Sequence, residues 1–200
     1  MTTERVVFVV DDDPAVRESL EVLLQSAGLA SRAYSNAQEF LDERPGDIIG
    51  CLIVDIRMPG LSGLELQEEL NRRGSRLPLI ILTGHGDVPA AVQALKAGAV
   101  DFLQKPFNPE SLLDLVEKAL NRHTGIRDAE ARRAEIASRL DTLTPREREV
   151  MALIVHGNAN KVVALDLGIS ERTVELHRSR VMKKMRARSL ADLTRMLPGE

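Results

Sequence analysis

Cysteine is nearly absent from this chain: Cys51 stands alone among 200 residues. One thiol excludes an intramolecular disulfide framework and suits a reducing compartment. Placed after Gly50 at the head of an apolar run, Cys51 reads as a small buried hydrophobe. The four histidines, His85, His123, His156 and His177, are widely spaced, and no Cys/His pair has zinc spacing. A metal site built on histidine is therefore disfavoured. No window approaches the about 20 apolar residues of a membrane span, and no charged-then-apolar leader precedes a small-residue cleavage site. The expectation is a cytoplasmic protein with no membrane partner. No G-x-G-x-x-G follows the first apolar run, which argues against a dinucleotide-binding enzyme. Internal repeats and low-complexity segments are also missing.

What the chain does have is apolar residues (44%) and charge (28%) in proportions that bury a core and keep it in solution. Its length suits one large domain or two small ones. The net charge of −3 hides an asymmetry. Residues 1–123 carry 12 Lys/Arg against 19 Asp/Glu, whereas residues 124–200 carry 15 against 11. Opposite signs in the two halves point to two domains with different partners, the basic one suited to a polyanion.

The first 120 residues alternate short apolar runs with amphipathic stretches. Val6–Val10, Cys51–Val54 and Leu79–Leu82 are near-continuous Val/Ile/Leu runs, as parallel strands covered on both faces require. Ala30–Tyr34 and Asp101–Gln104 are weaker strand candidates. Helical patterns cover Pro14–Ser26, Asn36–Asp42, Ser62–Arg73, Val88–Ala97 and Pro109–Arg122. Five strand–helix alternations describe an open α/β sheet with right-handed crossovers. Gly28, Gly74 and Gly98 follow helices as C-terminal caps should.

From 124 to 142 the chain is rich in Arg, Glu and Ala, without proline or strand pattern. Ile126, Ala129, Arg133, Ile136, Leu140 and Leu143 fall on 3/4 spacing, but Arg133 interrupts the seam. A solvated helical linker is favoured over a short coiled coil. Beyond it only helices and turns are expected. Thr144-Pro145-Arg146-Glu147 is a capping box with proline at the first helical position. NKVVALDL is a short helix, Gly168-Ile169-Ser170 a turn, and a longer basic helix runs from Glu171 to about Arg186, with a fourth from Ser189. A helix, a short Gly-containing turn and a longer basic helix form the helix-turn-helix pattern.

An open parallel sheet places its functional residues beyond the carboxyl ends of its strands. Those ends carry Asp11-Asp12-Asp13, Asp55, Thr83 and Lys105. With strand order 2-1-3-4-5 the first and third strands are neighbours, and Asp11, Asp12 and Asp55 share one crevice flanked by Thr83 and Lys105. Converging carboxylates need a counter-charge. Mg²⁺, which retains waters and takes few protein oxygens, is the natural one. Asp13 is better placed to cap the first helix, with Pro14 following it.

In this order and spacing VFVVDDD, LIVDIRMPGLSG, LIILTGHGD and DFLQKPF resemble the receiver domain of two-component response regulators. The resemblance implies a flavodoxin-like, doubly wound, five-stranded parallel sheet of order 2-1-3-4-5 over residues 1–123. It also implies that Asp55 accepts a phosphoryl group from a sensor histidine kinase. Mg²⁺ would be held by Asp11, Asp12, Asp55 and the backbone carbonyl of Arg57, while Lys105 and Thr83 contact the phosphoryl oxygens. Phe102 would be the aromatic switch residue. Lys105-Pro106 should form a tight turn with a cis bond. Homodimerisation on phosphorylation would use the face of the fourth helix, fifth strand and fifth helix.

LTPREREV, GNANKVVALDLGIS and ERTVELHRSRVMKKM resemble the LuxR-type DNA-binding domain, here a four-helix unit over 143–200 after the 124–142 linker. Together the two matches resemble the FixJ/NarL group of bacterial response regulators, in the FixJ, StyR and TodT branch. Glu171–Arg188 holds seven Lys/Arg against two Glu. On that helix Val174, His177/Arg178, Val181 and Met185 form the expected buried stripe. Arg172, Thr173, Glu175, Leu176, Ser179, Arg180, Lys183 and Lys184 are the expected contacts to double-stranded DNA. Glu175, Leu176 and Ser179 would face bases, and the cations phosphates. The resemblance favours activation through RNA polymerase and a non-enzymatic role. A Mg²⁺-dependent phosphohydrolase of the haloacid-dehalogenase type would use Asp-x-Asp, but Ala15 stands where Thr or Val should follow, and the basic tail is unexplained. A phosphorylation-independent regulator would leave the whole acidic set idle.

Overall fold

The computed structural model describes residues 5–43, 48–84 and 88–197. It divides into two compact units, one through Asp128 and one from Ala129. In the first, β1 (Arg5–Val10), β2 (Ala30–Tyr34), β3 (Ile49–Asp55), β4 (Leu79–Thr83) and β5 (Asp101–Gln104) make one parallel sheet of order β2-β1-β3-β4-β5. Between the strands run α1 (Pro14–Ser26), α2 (Ala37–Glu43), α3 (Gly63–Arg72) and α4 (Val88–Lys96), and α5 (Pro109–Asp141) follows β5.

Alternate side chains of each strand face opposite layers, and both layers are covered. Phe8, Leu52, Val54 and Ile81 pack with α2, α3 and α4, where Phe40 meets Phe8 and Tyr34 edge-on at 5.7 and 5.3 Å. Val7, Val9, Ile53, Ile80 and Leu82 face α1 and α5 through Leu20, Leu24, Leu112 and Val116. Two buried faces explain why the central strands read as unbroken apolar runs rather than alternating ones. Cys51 lies in the second layer with no exposure, and burial pushes its thiol up to about 12, so it is inert packing.

Turn chemistry fits the elements. Gly28, Gly74 and Gly98 close α1, α3 and α4 at positive φ. Asp13 caps α1 by accepting the Ala15 N–H at 2.9 Å, with Pro14 at the first helical position. Ser62 and Glu65 form a reciprocal capping box on α3. Two side-chain amides then tie α3 to the last turns of α4: Gln67, itself buried, donates to the Ala94 carbonyl at 2.9 Å, and Asn71 donates to Ala97 at 3.1 Å. At the other end of the sheet, the buried His123 imidazole of α5 accepts the Gly50 N–H at 3.0 Å.

The region 124–142, expected as a linker, continues α5 without a break as far as Asp141. Most of its last turns are exposed, but one side is covered: Ile136 and Leu140, followed by Leu143, pack on the core of the second unit. The 3/4 spacing that suggested a seam therefore marks intramolecular packing at that end. The rest of the unit is α6 (Pro145–Val155), α7 (Asn160–Leu167), α8 (Glu171–Met185) and α9 (Leu190–Met196). Val150, Ile154, Val163, Val174, Val181, Met185 and Leu193 form its core. Thr144 and Glu147 make the expected capping box on α6, and Ser170 and Ser189 cap α8 and α9.

Candidate functional site

Strand register brings the polar strand ends together. Val10 of β1 pairs with Val54 of β3, so Asp11 and Asp55 leave the sheet side by side. Asp55 pairs with Leu82, one residue before Thr83, and Thr83 pairs with Gln104, one before Lys105. All four polar residues thus emerge at one edge. The Lys105 ammonium closes the cluster, donating to Asp11 Oδ2 and to Asp55 Oδ1 at 2.6 Å each. The Lys105-Pro106 peptide is cis.

Both acids are buried, so this ion pair is shielded from bulk water. Desolvation raises the Asp55 carboxyl above its usual range, and the Lys105 hydrogen bond opposes that rise. Desolvation alone would lower Lys105, but its bonds to Asp11 and Asp55 hold it above the ordinary lysine value. Asp55 Oδ2 also accepts the Arg57 N–H at 2.7 Å.

Two residues that sequence patterns did not single out build the cradle. Arg17, one turn into α1, donates through Nη1 to the carbonyls of Asp11 and Asp12 at 2.7 and 3.0 Å. That contact fastens the acidic loop to the helix that follows it. Gly63, the first residue of α3, lies against Asp55: a Cβ there would stand 2.3 Å from the Asp55 carbonyl oxygen. No helix or turn rule exposes this requirement, because it arises from the close approach of two backbones.

The donor chemistry suits a small hard cation. Two carboxylates already converge on one positive centre, and both offer it oxygen. Asp12 is exposed beside them, and among the described residues no trio of Asp, Glu, His or Cys side chains forms a metal cluster. A divalent ion would therefore complete its shell with backbone carbonyl and water, which matches the habit of Mg²⁺.

Thr83 is fully buried, and its hydroxyl donates to the Gly84 carbonyl at 3.3 Å. Phe102 is half-buried in β5 and packs on the α2–α4 side of the sheet. His85, Gly86 and Asp87, in the LIILTGHGD motif after Thr83, lie outside the described residues.

In the second unit, Arg172, Glu175, Leu176, Ser179, Arg180 and Lys183 are exposed on α8, opposite the buried Val174, Val181 and Met185. Thr173 is half-buried, its hydroxyl paired with that of Ser170. Lys184 departs from the expected DNA-contact set. Its ammonium donates to Glu147 Oε2 at 2.6 Å and to the Thr142 carbonyl at 2.9 Å. The buried Glu147 carboxylate needs a counter-charge more than the solvent-facing surface does, and it draws Lys184 inward. Arg178 is likewise not core packing: it is half-buried and donates to Asn160 Oδ1 at 3.1 Å.

An acidic strand-end cluster closed by a lysine, in a 2-1-3-4-5 sheet followed by a helix-turn-helix unit, defines a receiver joined to a DNA-binding domain. Family models for the response regulator receiver domain and for bacterial regulatory proteins of the luxR family match residues 7–117 and 141–197. The chain belongs to the two-component response regulators, in the FixJ/NarL group and its FixJ, StyR and TodT branch. It is 50% identical over 195 residues to nodulation protein W of Bradyrhizobium diazoefficiens, covering 98% of this chain and 86% of that one. It is also 50% identical over 190 residues to the transcriptional regulatory protein FixJ of Azorhizobium caulinodans, covering 95% and 90%. Among solved structures, response regulator StyR superposes with a TM-score of 0.89 at 44% identity, covering 96% and 98%. Full-length FixJ from B. japonicum gives 0.62 at 46%, covering 98% and 96%. The chain is thus a DNA-binding transcriptional response regulator. Among the described residues no helix is long and apolar enough to cross a membrane.

Proposed function

We propose that Asp55 is the phosphoacceptor and that its phosphorylation switches DNA binding by the second unit. The observation carrying this reading is the Lys105 ammonium held 2.6 Å from both Asp11 and Asp55. In the transfer, an Asp55 carboxylate oxygen attacks the phosphorus of a kinase phosphohistidine. The P–N bond breaks, and its electron pair stays on the imidazole nitrogen. Lys105 neutralises charge on the phosphoryl oxygens, and the Thr83 hydroxyl donates to one of them. Asp11, Asp12, Asp55 and the Arg57 carbonyl would hold Mg²⁺, which supplies further charge neutralisation when bound. Arg17 fixes the carbonyls of the acidic loop throughout.

Thr83 moving toward the phosphoryl group leaves space beneath it for Phe102, which turns inward and reshapes the α4–β5–α5 face into a homodimer surface. Paired α8 helices then meet half-sites about one DNA turn apart. Glu175, Leu176 and Ser179 face the bases. Arg172, Arg180 and Lys183 face phosphates, with Thr173 at the first turn of the helix. RNA polymerase is the downstream partner, and the setting is the bacterial cytoplasm. Acetyl phosphate with Mg²⁺ should label the chain once and Asp55→Asn not at all, read by intact mass. Undiminished labelling of Asp55→Asn would overturn the assignment.

A further inference from the structure

The surface of α8 reaches further round the helix than the exposed face suggests. Arg178 lies at its flank, between the buried Val174 and Val181 and the outward Glu175 and Ser179. Its side chain is held rather than solvated: Nη1 donates to Asn160 Oδ1 at 3.1 Å across 18 residues of chain. Asn160 is the first residue of α7, and the next, Lys161, is exposed. In a helix-turn-helix the first helix crosses the DNA backbone while the second enters the major groove. Arg178 and Lys161 therefore stand where α8 meets the start of that crossing helix.

We infer that Arg178, anchored by Asn160 and joined by Lys161, is a phosphate contact on the flank of the recognition helix. A guanidinium offers five donors, and Asn160 engages one nitrogen. Fixing an arginine fork before binding reduces the side-chain freedom lost when it meets a phosphate oxygen. Such a contact carries no base information. It strengthens binding to every sequence alike and seats α8 at a fixed depth.

The test is salt-dependent binding of the full-length, phosphorylated protein to a random-sequence DNA duplex, with melting temperatures measured in parallel. Arg178→Met should weaken binding about three- to tenfold near 100 mM salt and flatten the log–log salt slope by about one unit, the signature of one lost phosphate contact. Lys161→Met should flatten the slope similarly, while Arg178→Lys keeps the parental slope. Asn160→Ala, which leaves the cation but removes its anchor, should weaken binding by a smaller factor with little change of slope. An unchanged slope and affinity in Arg178→Met would overturn the inference. So would a lowered melting temperature with an unchanged slope, which marks a packing role alone.

Discussion

At the scale of single residues, the site depends as much on a missing side chain as on those present. Gly63 has no Cβ because the Asp55 carbonyl occupies that space. Gly63→Ala must push α3 or the end of β3 outward. The expected cost is about 1–3 kcal/mol in denaturant unfolding, as for overpacked cores, together with slower labelling of Asp55 by acetyl phosphate. Stability and labelling rate both equal to the parent would contradict this account. Asp11, Asp55, Thr83 and Lys105 were legible in the sequence because polar residues ending apolar strands are conspicuous. Arg17 and Gly63 were not, since their partners are backbone carbonyls, which have no letter in a sequence. The Lys184 pairing is hidden for a related reason: its charge fits a basic face, but the buried acid it meets lies 37 residues away.

Elements divide in the same manner. The central strands could be read from hydrophobicity alone, and the caps of α1 and α6 from Asp13 and Thr144. The extent of α5 could not, because a charged helical stretch looks alike whether solvated or packed on one side. Glu147 shows what an element gains from its cap. It accepts from Lys184 and from the Thr144 N–H, and the Lys184 bond in particular holds its carboxyl below the ordinary glutamate range. A carboxylate lowered on folding adds stability above its unfolded pKa and loses it as pH falls through the lowered folded value. Glu147→Gln should therefore destabilise the second unit near neutrality by about 1–3 kcal/mol. The difference from the parent should close in acid, below the ordinary glutamate range, in thermal melts followed across pH. A gap that stayed constant into that acid range would remove the pair from the account.

For the whole molecule, an acidic receiver and a basic DNA-binding unit share one chain whose charges nearly cancel. Phosphorylation of Asp55, as proposed, would replace its single carboxylate charge with the about −1.5 to −2 charges of a phosphoryl group, beside a second buried acid, Asp11. That charge must be balanced locally, and in the proposal the rearrangement of Thr83 and Phe102 would carry the change to the α4–β5–α5 face. Sedimentation should show the unphosphorylated chain shifting from monomer toward dimer at tens of micromolar once Asp55 is phosphorylated. A phosphorylated chain that stays monomeric at that concentration would separate the phosphoryl switch from assembly.

The paired amides of Gln67 and Asn71 give that relay a mechanical form. They fasten α4 by the carbonyls of Ala94 and Ala97, near its C-terminal end. A rod fixed at one end answers a push at the other by swinging, not by sliding. In the proposed switch the helix would then be a lever whose fulcrum lies on α3, and a small displacement beside Thr83 would sweep the proposed assembly face through an angle.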